Sequence, residues 1–419
     1  MQIELRSRVG RFSFAAACLV GVFLYLQFAL RAYVASHLAA TSDVAKIQKA
    51  IQLEGANAEY RDLLGRYLAL SGASLDEAIS VYRTAVHLNP YEAQYWLDLA
   101  GAYQIAGRTG EQAESVEHAM QADPTTPHVA WAAANFFLVQ GDREKALHYF
   151  RVVLANDPEA VDSALRLCWR ATRDATEMLD QALPPRPDLY LSFLRLLVTN
   201  QEVAAAENVW NRLVGLQQAF PPQLALPYFQ LLIAKQEVAA AKAAWQQLSD
   251  VDTSLRPYLP SSENLVINGG FEENLLNGGF DWWYHSYAHA ALAIDTSEFH
   301  SGTRSLAVTF DGYSVPEVQL AQFIPVKPST AYEFSAESRT VDIDTASGPR
   351  FALLDAYTNS SYVLTDDTLG TTPWRRQQAR FRTGPNTNLL VLKIVRDPAA
   401  PLIRGKLWID DVTLVETAN

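Results

Sequence analysis

A membrane-spanning helix, an array of α-helical hairpins and an antiparallel β-sandwich are predicted, in that order, by three features of the sequence. An uncharged run extends from Phe12 to Leu30, a 34-residue period runs through the Ala-rich first half, and short runs of Thr, Val, Tyr and Phe fill the last third. At 419 residues the chain is too long for one ordinary core, so a multidomain α plus β protein is expected. The divisions read as a cytoplasmic N-terminus at 1–11, an anchor at 12–34, a helical array at 43–255, a linker at 256–263 and a sandwich at 264–419.

With 49% hydrophobic and 19% charged residues, the composition is that of a folded chain rather than a disordered one. A formal net charge of −12 without a Lys/Arg cluster repels a phosphate backbone, which excludes nucleic acid as a partner. Cys18 and Cys168 lie in separate helical segments and in no metal spacing, so no disulfide framework is expected. Ala15-Ala16-Ala17 before Cys18 lacks the large apolar residue of a lipidation site.

The nineteen residues from Phe12 to Leu30 are broken only by Ser13 and Gln27. As a helix they rise about 28 Å, close to the hydrocarbon thickness of a bilayer. Arg6, Arg8 and Arg11 precede the run and Arg31 alone follows it, a bias that puts the N-terminus in the cytoplasm. A single-pass protein of the inner (cytoplasmic) membrane is expected, with its bulk periplasmic or extracellular. The rival is a cleaved signal peptide, against which stand the length of the run and the lack of a clear A-x-A site between Ala32 and Thr41.

Asn89-Pro90, Asp123-Pro124 and Asp157-Pro158 recur 34 residues apart, and Ala100/Ala134, Tyr103/Phe137 and Tyr82/Val116/Phe150 keep the same period. Each dipeptide is expected to start a helix, with Asn or Asp as N-cap and Pro at the first helical position. Small residues at fixed offsets let antiparallel helices approach, and aromatic residues fill the gaps between hairpins. Gly107 and Gly141 fall where paired helices turn. An earlier repeat carries an extra residue near Ser71 to Ser74. Further on, Gln201-Glu-Val-Ala-Ala-Ala206 is echoed 35 residues later by Gln236-Glu-Val-Ala-Ala-Ala241, with Trp210 and Trp245 in register, which predicts two more hairpins.

Trp96, Leu99, Ala100, Tyr103, Ala119 and Pro124 fit one unit of a pattern that resembles the tetratricopeptide repeat, although Gln112 and Val153 replace expected alanines. The resemblance implies an α-solenoid whose groove binds a protein or peptide partner and performs no chemistry. Gln104, Trp131 and Asn135 are the groove candidates, with inter-repeat packing the alternative for Trp131. The Lys and Asn pattern that clamps a C-terminal carboxylate in some members is absent.

After Pro257 and Pro260 the text changes to strands such as Ser305–Phe310 and Tyr332–Ala336, which predicts a sandwich of roughly eight to ten strands. Asn264-Leu-Val-Ile-Asn-Gly-Gly-Phe-Glu272, His300-Ser-Gly-Thr-Arg-Ser-Leu306, Gln322–Phe334 and Leu407-Trp-Ile-Asp-Asp-Val-Thr-Leu414 resemble, in order and spacing, the jelly-roll carbohydrate-binding modules of the families four and nine type. The resemblance implies a polysaccharide ligand and a structural calcium near Glu272 and Asp410, a turn cap and a surface hydrogen bond being the plainer roles for that pair. Sugar recognition needs flat aromatic faces beside amides, carboxylates and guanidinium groups. Trp283, Tyr284, Tyr287, Tyr313, Gln319, Arg350, Tyr357 and Trp374 supply these, with core packing the competing role for each aromatic ring. Adjacent strand residues face opposite ways, so Trp282 and Trp283 cannot both be core. Trp408, between Leu407 and Ile409, is expected in the core.

No H-E-x-x-H, paired-Cys motif or G-x-S-x-G elbow occurs, and neither Asp366-Asp367 nor Asp410-Asp411 can face each other across a cleft as glycosidase carboxylates do. A non-enzymatic scaffold follows, either one that engages a polysaccharide, as in envelope or exopolysaccharide assembly, or a purely protein-binding one with a structural sandwich.

Overall fold

The computed structural model describes residues 8–41, 43–71, 74–399 and 401–417. Arg6 and positions 72–73, where the extra repeat residue was expected, lie outside them. The chain divides into two compact units, Met1–Pro184 and Pro185–Asn419.

The first unit is helical. Helix α1 (Arg8–Ala39) is followed by α2 (Val44–Leu53), α3 (Ala58–Ser71), α4 (Leu75–Leu88), α5 (Ala93–Ile105), α6 (Thr109–Ala122), α7 (Pro127–Gln140), α8 (Arg143–Asn156), α9 (Val161–Thr172) and α10 (Ala175–Glu177), which runs on as π-helical turns over Met178–Ala182. The stretch Gly10–Ala39 is long and apolar enough to cross a membrane, and its side chains from Phe12 to Tyr33 are largely exposed. Its last turns are not: Ala35 and Ala39 are buried with Ala50 of α2 and Tyr60 of α3. Arg31 Nη2 also donates to the carbonyl of Leu53 at 2.7 Å.

Helices α3/α4, α5/α6 and α7/α8 are hairpins of the tetratricopeptide type. Ala100 and Ala134 are buried as the period requires. At the matching position of the earlier hairpin stands Gly65, where an added Cβ would lie 2.6 Å from the Tyr82 ring. The Asx-Pro dipeptides act differently from the expectation. Asn89, Asp123 and Asp157 are C-caps of α4, α6 and α8, and the next helices begin at Ala93, Pro127 and Val161. The residue before proline is driven out of the helical region, so the dipeptide stops one helix before it can start another. Its side chain then holds the turn: Asp123 Oδ1 accepts from the amides of Thr125 and Thr126 at 3.2 and 3.0 Å. Gly141 closes α7 with φ of 80°, a left-handed cap that glycine adopts without penalty.

The second unit holds α11 (Pro187–Thr199), α12 (Val203–Gly215), α13 (Leu226–Ala234), α14 (Val238–Val251) and the whole sandwich. The 35-residue echo is structural, since Gln201 and Gln236 take the same left-handed turn with φ of 61° and 65°. The strands are β1 (Trp283–Tyr284), β2 (Ala290–Asp295), β3 (Ser305–Ser314), β4 (Glu317–Pro325), β5 (Ala331–Asp344), β6 (Arg350–Asp355), β7 (Ser361–Leu364), β8 (Gly370–Arg382), β9 (Leu389–Val395) and β10 (Leu402–Glu416). They form two five-stranded sheets, β1-β4-β9-β6-β7 and β2-β3-β10-β5-β8, antiparallel throughout. Core residues between them include Trp282, Phe271, Phe334 and Leu392. Trp408 is buried but does not join that core. It lies on the outer face of the second sheet, paired across strands with Ala307 and Arg339, under the Lys406 ammonium at 4.4 Å, its Nε1 donating to Asp295. Leu407 and Ile409 take the inward positions, and strand alternation sends the residue between them out.

The first sheet is apolar on both faces at one end. Leu390, Leu392 and Ile394 face the core, which leaves Leu389, Val391 and, on β6, Ala352 facing outward, yet all three are buried. Helices α13 and α14 dock on the sandwich. Leu226 packs on Gly278, Trp245 meets Gly279 and stands edge-on to Phe280 at 5.9 Å, and Tyr357 Oη donates to the carbonyl of Ile233 at 3.0 Å. The 3₁₀ turn Thr253–Tyr258, which overlaps the start of the expected linker at 256–263, completes the joint: Trp245 Nε1 donates to the Tyr258 carbonyl and Tyr258 Oη to that of Asn274.

Replacing Ala134 by Trp should destabilise the helical array by ~1–3 kcal/mol, because a ring cannot enter a helix crossing with no exposed surface. A thermal melt of the whole protein reads this as an earlier transition, and an unchanged melt would mean that the crossing is loose.

Candidate functional site

Strand register assembles a continuous outward row across the first sheet. Trp283 pairs with Ala321, Ala321 with Lys393, Lys393 with Ala352 and Ala352 with Leu364. Directly paired residues of antiparallel strands project to the same side, so the Trp283 ring at one edge looks along Ala321 and the Lys393 stem, beyond which Ala352 is buried. The neighbouring row is Glu317, Val395 and Arg350, with Gln319 between the rows on β4. Thus Trp283, Gln319 and Arg350, widely separated in sequence, share one face.

The groups on that face are held in place. Trp283 Nε1 donates to the Gly279 carbonyl at 2.8 Å, and its ring stands edge-on to Phe323 at 5.4 Å. Lys393 Nζ pairs with Glu317 at 3.1 Å and Arg350 Nη2 with Asp367 at 3.5 Å. The Nε of Arg350 is buried and has no hydrogen-bond partner among the described residues. The half-buried Trp283 indole and the ion-paired Lys393, Glu317, Arg350 and Asp367 side chains offer an apolar surface beside polar groups that can bind hydroxyl oxygens. Lys393, Glu317 and Phe323 were missed as candidates, although the alternating pattern of β4 and β9 contains the signal.

Three other candidates gather at the rim. Tyr284 is partly exposed, Tyr287 leans on the core and edge-on to His289, and Tyr313 is 58% exposed and stacked on His289 at 4.1 Å. His289 Nδ1 is 3.1 Å from Asp311 Oδ2, an interaction that lowers the Asp311 pKa. Two candidates lie elsewhere. Trp374 is on the second sheet, bonded through Nε1 to Glu298 and 5.7 Å from the His300 ring. Tyr357 is committed to α13, and burial pushes its hydroxyl pKa up to about 12.

Glu272 and Asp410 converge on the 300–304 loop, but through hydrogen bonds. Glu272 accepts from the amides of Thr303 and Arg304 and from Thr303 Oγ1, and Asp410 accepts from the amides of His300, Ser301 and Asp411. The two carboxylates, 138 positions apart in the sequence, thus meet at the same loop. Among the described residues no group of three or more His, Cys, Asp or Glu could hold a metal ion.

In the helical unit, Gln104 and Asn135 line one cleft of about 430 Å³ together with Ala100, Gln112, Phe136 and Val139. Trp131 is not part of it. Its ring packs edge-on to Phe150 at 5.7 Å, and its carbonyl accepts from Asn135 Nδ2.

These geometries define an array of tetratricopeptide-type hairpins joined to a sandwich of the carbohydrate-binding-module type. Residues 263–400 match the family model of the carbohydrate binding domain. No curated protein matches the chain. Among solved structures, a CBM4 module is 13% identical over 36% of this chain and 99% of its own, with a TM-score of 0.29. The CBM22-1 xylan-binding domain of Paenibacillus barcinonensis Xyn10C is 13% identical over 36% of this chain and 93% of its own, with a TM-score of 0.25. The helical part is similar to pilF of Pseudomonas aeruginosa, 17% identical over 50% of this chain and 82% of its own, with a TM-score of 0.25.

The 300–304 loop gives a pH signature. Hydrogen bonds from Thr303 hold the Glu272 pKa below its ordinary 4.5, so its contribution is present above that value and is lost as pH falls through the depressed one. The hydrogen bond from His300 to Asp411 raises the histidine above its ordinary 6.5, so that contribution is complete below 6.5 and is lost as pH rises through the raised value. Substituting His300→Gln should flatten the alkaline side of the melting-temperature profile and leave the acid side intact. A wild-type alkaline limb that survives the substitution would assign it to another group.

Proposed function

We propose that the protein is a non-enzymatic scaffold, held in a membrane by α1, that binds polysaccharide through the outward face of the first sheet and a protein partner through the helical array. The observation that carries the sugar reading is the convergence of Trp283, Gln319, Arg350, Lys393 and Glu317 on one face of a domain that matches the carbohydrate binding family. Stacking of a pyranose on Trp283 and hydroxyl contacts to the charged pairs call for no bond-breaking step. The cleft lined by Gln104 and Asn135 supports the protein-binding role, because side-chain amides can pair with the backbone of a peptide. Envelope or exopolysaccharide assembly is a setting in which both roles meet.

Anchoring by an uncleaved α1 is supported by its packing. Cleavage between Ala32 and Thr41 would cut through turns whose Ala35 and Ala39 are buried against α2 and α3. A protein-only scaffold is favoured by one observation, that α13 and α14 dock on the sandwich as a partner would.

Titration of the whole detergent-solubilised protein against a panel of bacterial and plant glycans should give dissociation constants of roughly 0.1–1 mM, the weak range. Trp283→Ala should weaken binding about fivefold with the fold retained, the loss of one stacking contact of about 1 kcal/mol. If no glycan binds, or if the substitution changes nothing, the protein-only reading takes its place. For the anchor, an epitope tag placed before Met1 should remain on the full-length, membrane-bound chain, and a reporter joined after Asn57 should be active only on the exported side. A shorter chain lacking the tag would show that α1 is a cleaved signal.

A further inference from the structure

The ring proposed to stack on sugar is aimed by a residue of the last helical hairpin. Trp283 stands on β1, a strand of only two residues, Trp283 and Tyr284, at the edge of the first sheet. So short a strand fixes its own side chains weakly. The indole is instead tied by its Nε1–H to the carbonyl of Gly279 at 2.8 Å. That carbonyl belongs to a turn that α13 and α14 shape. Gly279 has φ of 63°, and a Cβ built on it would lie 2.0 Å from the Trp245 ring, so the turn is pressed against the indole of α14. Gly278 rests on Leu226 of α13, and Phe280 stands edge-on to Trp245 at 5.9 Å.

Trp245 cannot drift. Its own Nε1 donates to the Tyr258 carbonyl at 2.7 Å, it is 4% exposed, and Phe229 stands edge-on to it at 5.0 Å. Tyr258 in turn bonds through Oη to the Asn274 carbonyl at 2.6 Å, at the start of the same loop. At the far end of that loop, Asn277 Oδ1 accepts from the amide of Tyr284, so β1 is held to it from two sides. The joint is therefore a relay of rigid contacts running from α14 through the Gly278–Gly279 turn to Trp283.

We propose that Trp245 is a positioning residue for the carbohydrate site: α14 sets the orientation of Trp283 through Gly279, so glycan affinity depends on the integrity of the last helical hairpin. The proposal rests on the reading of the first-sheet face as the sugar site. A ligand that loosened α14 would weaken sugar binding, and a bound sugar would tighten the hairpin, because such coupling is reciprocal.

The test uses the whole protein in detergent with Trp245→Phe, which keeps an aromatic ring but removes the N–H and shrinks the ring that Gly279 is pressed against. Gly279→Ala is the second variant, and Phe150→Leu in α8 is a control for general loss of helical stability. Two quantities are read: affinity for a glycan that binds the wild type, and hydrogen exchange of the Trp283 indole N–H followed by NMR. Trp245→Phe and Gly279→Ala should each weaken affinity about tenfold and speed exchange of that indole proton, while Phe150→Leu changes neither. Unchanged indole exchange in both variants would overturn the proposal. Faster exchange without any glycan binding in the wild type would uphold the relay and remove the sugar reading instead.

Discussion

A strand that is apolar on both faces cannot have water on either, and β9 is such a strand. Its sequence, Leu389-Leu-Val-Leu-Lys-Ile-Val395, places Leu390, Leu392 and Ile394 in the sandwich core and leaves Leu389 and Val391 buried on the opposite side. The first sheet therefore needs a cover, and the last helical hairpins of the chain dock on the same domain. The compact unit that begins at Pro185 contains both, so the array's end and the sandwich fold as neighbours rather than as beads on a linker. Past Val391 the outward side of β9 carries Lys393, with Glu317, Gln319 and Arg350 on the flanking strands.

Much of this was legible in the sequence because it depends on short-range periodicity. A 34-residue spacing of small and aromatic residues is a statement about helix crossings, and Ala100 and Ala134 are buried as it demands. Alternation along β4, β6 and β9 places Gln319, Arg350 and Lys393 on one face once the register is known. The opposition of Trp282, buried in the core with Phe271 at 5.2 Å, to the outward Trp283 follows from the same rule.

What was not legible depends on contacts between segments that no local pattern connects. Tyr357 reads as an exposed aromatic near polar residues, yet its hydroxyl is used by the carbonyl of Ile233, 124 residues earlier. Trp408 reads as core because its neighbours are apolar, whereas alternation turns it outward under Lys406. The Asx-Pro dipeptides contain helix-start residues, but the steric demand of proline on the residue before it makes them helix stops. Glu272 and Asp410 are far apart in the sequence, and only the amide donors of the 300–304 loop reveal that both carboxylates converge there.

The sandwich and the last two hairpins are expected to open as a single cooperative body. Native-state hydrogen exchange of the whole chain at increasing denaturant resolves such units by the free energy at which their amides open together. Amides of α13, α14, β6 and β9 should merge into one opening event, distinct from that of α3 to α8. Protection of β6 and β9 that persists after α13 and α14 have exchanged would contradict it.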